Sequence, residues 1–245
     1  IMGRITNQLM ALQHRVDAAA EEYGRDPETI QIIAVSKTFP SAAIEEAMHA
    51  GQTAFGENYV QEAVEKIKQL DKLRPWLEWH FIGPLQSNKT ADIAEHFDWM
   101  HTLDRLKIAE RLSIQREPHA RLGPLQVCVQ VNISDEESKS GVNPSEVLTL
   151  CEQIAPLRGL TLRGLMAIPA PSTNLDEQRK SFAAVRELFE SIRMQKEMSA
   201  GFHNFDTLSM GMSDDLEAAI AEGATMVRVG SAIFGQRPPS AKIEA

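Results

Sequence analysis

Apolar residues in the first stretch of the chain recur at Ile5, Leu9, Leu12 and Val16. Steps of three and four place them on one face of a helix, which predicts a helix over residues 3–24. The pattern then changes to short runs of branched residues. Residues 29–36 (TIQIIAVS) read as a strand. Ser41 opens a helix that Gly51 ends. A serine at a helix N-cap satisfies free N–H groups, and glycine tolerates the left-handed backbone just past a helix. Residues 53–56 form a short strand, followed by a helix with Val60, Ala63, Val64 and Ile67 on one face. The alternation continues with strands at 78–82, 97–103, 125–133, 161–168, 205–210 and 225–229. Helices fall at 87–96, from an Asp104 cap to Arg116, and after the capping box at 143–146 (NPSE). A long helix carries Phe182, Val185, Phe189 and Ile192, and another spans 214–222, ended by Gly223.

That makes about eight strands, each but the last followed by a helix. The Ile/Val-rich strands lack a clean polar alternation, as parallel strands covered on both faces do. The pattern predicts a closed (β/α)8 barrel with an additional N-terminal helix, and a doubly wound open sheet is the alternative. No linker or low-complexity tract breaks the chain, so residues 1–245 are expected to form a single barrel domain. Residues 46–56 and 218–230 share a helix–Gly–strand–Gly rhythm without establishing a two-fold repeat.

Length fits this reading, since a (β/α)8 barrel uses about 250 residues and the chain has 245. The net charge is -9, and no Lys/Arg run stands out, which argues against a nucleic-acid or acidic-membrane surface. The balance leaves room for a local anion site. Cys128 and Cys151 sit among apolar neighbours without metal-ligand spacing, so buried free thiols are expected. No apolar stretch is long enough to cross a membrane, and polar residues through the first turns argue against a secretory leader. Cytoplasm is the expected location. The start, Ile1-Met2, reads as a remnant of processing or of an added start.

In such a barrel the chemistry sits where the strands end. Lys37 closes the first strand. A desolvated lysine has a lowered pKa, and its neutral amine can form a Schiff base with a carbonyl. The plain alternative is a lysine that snorkels to solvent. Ser209 and Gly211 end strand seven, and Gly230 and Ser231 end strand eight. Small residues there let backbone N–H groups reach an anion, the recurrent phosphate corner of barrels, or they only make tight turns. Arg228 lies in the apolar run MVRV at 226–229. It either pairs with a carboxylate or faces a ligand in the barrel mouth. His80 is read first as a satisfied core histidine and second as a base. Asp214 and Asp215 read as first-turn helix acids. The charged stretch 135–139 reads as a solvated loop, with a lid as its alternative. No metal cluster, HExxH or GxSxG is present, so no metal is expected. A carbonyl compound bearing a phosphate fits the lysine, the small-residue corner and the arginine. Pyridoxal 5′-phosphate is such a compound, and a sugar phosphate in a Schiff-base aldolase would use the same parts.

Six motifs run in order along the chain: AVSK at 34–37, FGENYVQE at 55–62, WHFIGPLQSNK at 79–89, GLMAIP at 164–169, LSMGMSDD at 208–215 and VRVGSAIFG at 227–235. On these motifs the chain resembles the YggS/PROSC family of pyridoxal-phosphate-binding proteins. The resemblance implies a barrel like the N-terminal domain of alanine racemase, with pyridoxal 5′-phosphate on Lys37. It further implies Ser209, Gly211, Gly230 and Ser231 around the phosphate, Arg228 toward the pyridine nitrogen, and Asn58 near the ring. The family's role is cofactor binding and vitamin B6 homeostasis without robust catalysis, so no catalytic residue is assigned. Recipients would be apo-enzymes that need the cofactor, and the chain would be a monomer or weak dimer. A racemase-like enzyme is the alternative. Racemases of this likeness add a second base from a further domain, for which 245 residues leave no room. The tyrosines, Tyr23 and Tyr59, fall on the first helix and at a helix start.

Overall fold

The computed structural model describes residues 3–137 and 140–236. Its first half runs α1 (Arg4–Glu22), β1 (Gln31–Val35), α2 (Ser41–His49), β2 (Ala54–Glu57), α3 (Val60–Gln69), β3 (Glu78–Phe81), α4 (Thr90–His96) and β4 (Trp99–Leu103). The second half runs α5 (Leu106–Arg116), β5 (Leu125–Val131), α6 (Val147–Ile154), β6 (Leu160–Ala167), α7 (Leu175–Lys196), β7 (Thr207–Ser209), α8 (Leu216–Ala221), β8 (Met226–Val229) and α9 (Ser231–Phe234). The strands pair in chain order, all parallel, and β1 pairs with β8, which closes the barrel. The open-sheet alternative is thereby set aside.

Strand residues alternate between the two sides of the wall. Ile32 and Ala34 of β1, Trp79 and Phe81 of β3, and Val227 and Val229 of β8 belong to the large core between barrel and helices. Phe182, Val185, Phe189 and Ile192 of α7 join them from the helix side, as the heptad-like spacing predicts. The alternate residues Ile33, Ala54, Trp99, Cys128, Met166 and Met226 form a separate cluster inside the barrel. Full burial on both faces explains why the strands show no polar alternation. Each fully buried large side chain in these layers is worth roughly 1.5–3 kcal/mol of transfer free energy.

Two helix starts differ from the sequence reading. Ser41 is the first residue within α2 and Pro40 holds the cap position; the Ser41 hydroxyl instead bonds Gln69 Oε1 at 2.5 Å. Asp104 does not cap α5, whose cap position is Arg105; its Oδ2 accepts from the Gly141 N–H at 3.2 Å. In both places a partner distant in sequence captured the side chain that local rules assign to the helix. Asn143 caps the short 3-10 turn Pro144–Glu146 ahead of α6, with its side chain accepting from the Ser145 N–H, while Glu146 holds the cap position of α6 itself. Both cysteines are buried and free, and burial pushes each thiol up to about 12. No helix among the described residues is long and apolar enough to cross a membrane. Ile1 and Met2 lie outside the described residues, as do Ser138 and Lys139 of the charged loop read as a solvated segment or lid.

Candidate functional site

A cleft of about 1230 Å³ opens at the C-terminal ends of the strands. Lys37 after β1, Arg228 of β8, and Gly230 and Ser231 at the β8–α9 turn line it together. Pro169 after β6 and the 212–215 segment after β7 close its other sides. A lysine, an arginine and a small-residue corner, separated by almost two hundred positions in the chain, thus share one cavity.

The turn that presents Lys37 is held from both sides. The Ser36 hydroxyl donates to Glu57 Oε1 at 2.8 Å, and Lys66 Nζ donates to the Ser36 carbonyl at 2.8 Å. Lys66 also pairs with Glu57 at 2.8 Å and with Glu62 at 2.6 Å. Glu62 in turn accepts from the Thr38 N–H at 2.5 Å. Thr38 has φ of 69°, the left-handed region that a β-branched residue rarely enters. The buried Lys66–Glu57 pair and the half-buried Glu62 therefore stabilise a strained turn on either side of Lys37. Glu57 is fully buried, and desolvation pushes its carboxyl up while Lys66 and Ser36 oppose the shift. This clamp was not foreseen. Its only sequence signal is a lysine three residues from Ala63 and next to Ile67, on the edge of the apolar face of α3.

Arg228 is 4% exposed. Its Nη1 donates to Ser209 Oγ at 2.6 Å and its Nη2 to the Ala167 carbonyl at 3.2 Å. No carboxylate lies within ion-pair distance among the described residues; burial lowers its pKa to about 10, with Asp215 opposing. Of its two sequence readings, the structure gives the one that faces the cleft. Asp215 accepts from the Met212 N–H at 2.7 Å, and burial raises its carboxyl. Together with Asp214 it lines the cleft, whereas α8 begins only at Leu216.

Ser209 and Gly211 are placed differently from their neighbours in the sequence reading. Ser209 is fully buried inside the barrel, with its hydroxyl shared between Arg228 and His101 Nδ1, the latter at 2.6 Å. Its contact with the cleft runs through Arg228. Gly211, at φ 100°, makes a tight turn: an added Cβ would come 2.6 Å from Ala219 Cβ. Ser213, two positions on, lines the cleft and was not singled out. Gly230 packs so closely that a Cβ would lie 3.3 Å from Val35. The first N–H groups of α9, beyond Gly230, lack acceptors within the helix by construction. Asn58 follows β2, and its Oδ1 is buried without a hydrogen-bond partner. His80 is a satisfied core histidine, bonded to His101 and to Glu78. His101 itself escaped notice, since one histidine within the strand WMHTL carries no local signal.

The family described as alanine racemase, N-terminal domain, matches residues 8–238. The chain is 54% identical over 233 residues to the pyridoxal phosphate homeostasis protein of Haemophilus influenzae, across 95% of this chain and 96% of that one. It is 52% identical over 242 residues to the protein of the same name from Escherichia coli K12, across 98% and 100%. Among solved structures it resembles PipY of Synechococcus elongatus PCC7942 with PLP bound, at 38% identity and a TM-score of 0.79, across 94% of this chain and all of that one. An alanine racemase of Clostridium difficile 630 shares the fold alone, at 14% identity and a TM-score of 0.66.

Proposed function

The chain belongs to the alanine racemase N-terminal domain family, among the pyridoxal phosphate homeostasis proteins, and from that premise we propose that it holds pyridoxal 5′-phosphate on Lys37. The observation that carries the reading is one cleft lined by Lys37, Arg228, Gly230 and Ser231. The residues present fit the group. A lysine amine, a guanidinium and the N–H groups past Gly230 match an aldehyde and a phosphate in one cleft, and Asn58 Oδ1, beside that lining after β2, is a buried polar atom without a partner. When bound, the group supplies an aldehyde and a conjugated ring that can take up electrons.

The Lys37 amine would hold the aldehyde, and the clamp around Ser36 and Thr38 fixes the turn that carries it. Backbone N–H groups at Gly230 and Ser231, with the Ser213 hydroxyl, receive the phosphate. Gly211 supports this corner by its turn. Ser209 acts through the Arg228 guanidinium to which it is bonded. Arg228 would donate toward the pyridine nitrogen, an arrangement that disfavours protonation of that nitrogen and would make the ring a weaker electron sink. Neither tyrosine lines the cleft as a second base: Tyr59 is 50% exposed at the start of α3, and Tyr23 lies under Arg179. Both features favour holding over turnover, so we read the chain as a non-catalytic cofactor carrier.

The carrier role further assigns apo-enzymes of the same cofactor as recipients, the cytoplasm as location, a monomer or weak dimer as the working state, and residues 1–245 as one domain. The test is a transfer assay. The loaded chain should activate an apo-enzyme at a rate distinct from that of free pyridoxal phosphate, and Lys37→Ala should not. Equal rates for all three would overturn the carrier role. Sustained formation of D-isomers from single L-amino acids would replace it with a racemase.

A further inference from the structure

Inside the barrel, five side chains from four strands touch in sequence. Arg228 of β8 meets Ser209 of β7 at 2.6 Å, and Ser209 meets His101 Nδ1 of β4 at 2.6 Å. His101 Nε2 meets His80 Nδ1 of β3 at 2.8 Å, and His80 Nε2 meets Glu78 Oε1 at 2.6 Å. Glu78 is the first residue of β3, so it stands at the barrel end opposite the cleft. Arg228, Ser209, His101 and His80 are all buried, while the Glu78 side chain is 41% exposed.

Proton bookkeeping fixes the direction of every bond. A guanidinium only donates, so the Ser209 oxygen accepts from Arg228. The hydroxyl has one proton, and its remaining partner is His101 Nδ1, which must therefore accept. Neutral His101 then carries its proton on Nε2 and donates to His80 Nδ1. Neutral His80 carries its proton on Nε2 and donates to the Glu78 carboxylate. The rival arrangement, a doubly protonated His80 with His101 turned to donate toward Ser209, strands the hydroxyl proton in the core without an acceptor among the described residues. A buried unsatisfied donor costs about 1–3 kcal/mol.

We infer that these five residues form one hydrogen-bond relay polarised from the cleft to the opposite barrel mouth, in which His101 and His80 are positioning residues for Arg228. Burial, with His80 and Arg228 nearby, holds His101 well below the usual histidine range, in keeping with a neutral ring. Trp99 stacks on His80 with ring centroids 5.4 Å apart, which fixes the plane in which that ring donates. The chain of bonds leaves Arg228 one hydroxyl acceptor and one carbonyl acceptor inside the wall, so its remaining N–H groups are turned to the cleft. The link to the cofactor rests on the reading of Lys37 and Arg228 given above; the relay itself does not.

The test uses the full chain with ¹⁵N-labelled histidine, free and loaded with pyridoxal phosphate. Long-range ¹H–¹⁵N spectra should show both His80 and His101 as neutral rings protonated on Nε2. An imidazolium at His80, or a proton on Nδ1 of either ring, overturns the relay. A second arm compares His101→Phe with His101→Asn, whose amide keeps an acceptor for the Ser209 hydroxyl. His101→Phe should raise the Kd for pyridoxal phosphate about tenfold, the scale of one buried hydrogen bond, while borohydride still fixes the cofactor to Lys37. His101→Asn should recover most of the affinity. An unchanged Kd in His101→Phe overturns the positioning role. Should His101→Phe not fold, the spectra of the unaltered chain still decide. If the unaltered chain and Lys37→Ala bind pyridoxal phosphate alike, the cofactor reading fails, and the imidazole spectra judge the relay independently.

Discussion

On the outer side of the barrel wall, Trp79 and Phe81 of β3 are fully buried among Phe55 and Phe97. On the inner side of the same strand, His80 is equally buried and bonded to a second histidine. The outer layer is held by area removed from water, which is non-directional and tolerates many arrangements of similar volume. The inner layer also holds an apolar cluster that includes Trp99 and Met166, but its polar part from Arg228 to Glu78 is held by hydrogen bonds whose directions are fixed, and each depends on its neighbour. The outer layer therefore sets stability, whereas the inner layer sets where Arg228 stands. One charged cluster crosses this division: Lys66 brings the outer helix α3 into contact with the turn at Lys37.

Substitutions can break the contrast from either side. The largest loss should come outside. Phe81→Ala removes a fully buried ring and should cost about 3–5 kcal/mol in urea unfolding, with little change in cofactor affinity of the folded fraction. Lys66→Met comes next. It leaves the Glu57 carboxylate buried beside an apolar side chain, at a cost of about 3 kcal/mol. Adding Glu57→Gln should return part of that loss in the same unfolding assay. Inside the barrel, Ser209→Ala leaves Arg228 and His101 each short of a partner and should cost about 1–3 kcal/mol. Unlike Phe81→Ala, it should also weaken pyridoxal phosphate binding in a titration of the folded chain.

The smallest effect lies at the exposed end of the relay. Burial pushes Glu78 up, but the hydrogen bonds from His80 and Gln31 and the positive charge of Arg163 outweigh it, and its pKa falls below the ordinary 4.5. An acid lowered on folding stabilises above its ordinary range and loses that contribution as pH falls through the folded value. Glu78→Gln should thus be less stable than the parent chain at neutral pH, by less than about 1 kcal/mol because the carboxylate is partly solvated. The two urea midpoints should converge as pH drops below the ordinary carboxylate range. A constant gap down to strong acid would show that the glutamate acts by shape and not by charge.

The outer layer was also the legible one. Branched runs such as QIIAV and LQVCVQV marked strands because both of their faces meet apolar matter. The helix faces at Phe182, Val185, Phe189 and Ile192 followed the helical period and packed as their spacing predicts. Strand order then brought Lys37, Arg228, Gly230 and Ser231 to one end, where their chemistry could be weighed together. The inner layer was obscure for a physical reason. Arg228, Ser209 and His101 are satisfied from other strands, by partners 19 to 108 positions away, and no local pattern records that. Ser209 was legible as a small residue near the corner, though not as the link between Arg228 and His101. Ser41 and Asp104 failed as caps in the same way, since Gln69 and Gly141 took their side chains.

The most direct measurement is reduction of the loaded chain with borohydride, followed by mass analysis of its peptides. The account predicts a pyridoxyl-phosphate mass on the peptide that contains Lys37, absent from Lys37→Ala and present in Lys66→Met at lower yield. A label on a different lysine, or labelling unaffected by Lys37→Ala, would contradict it.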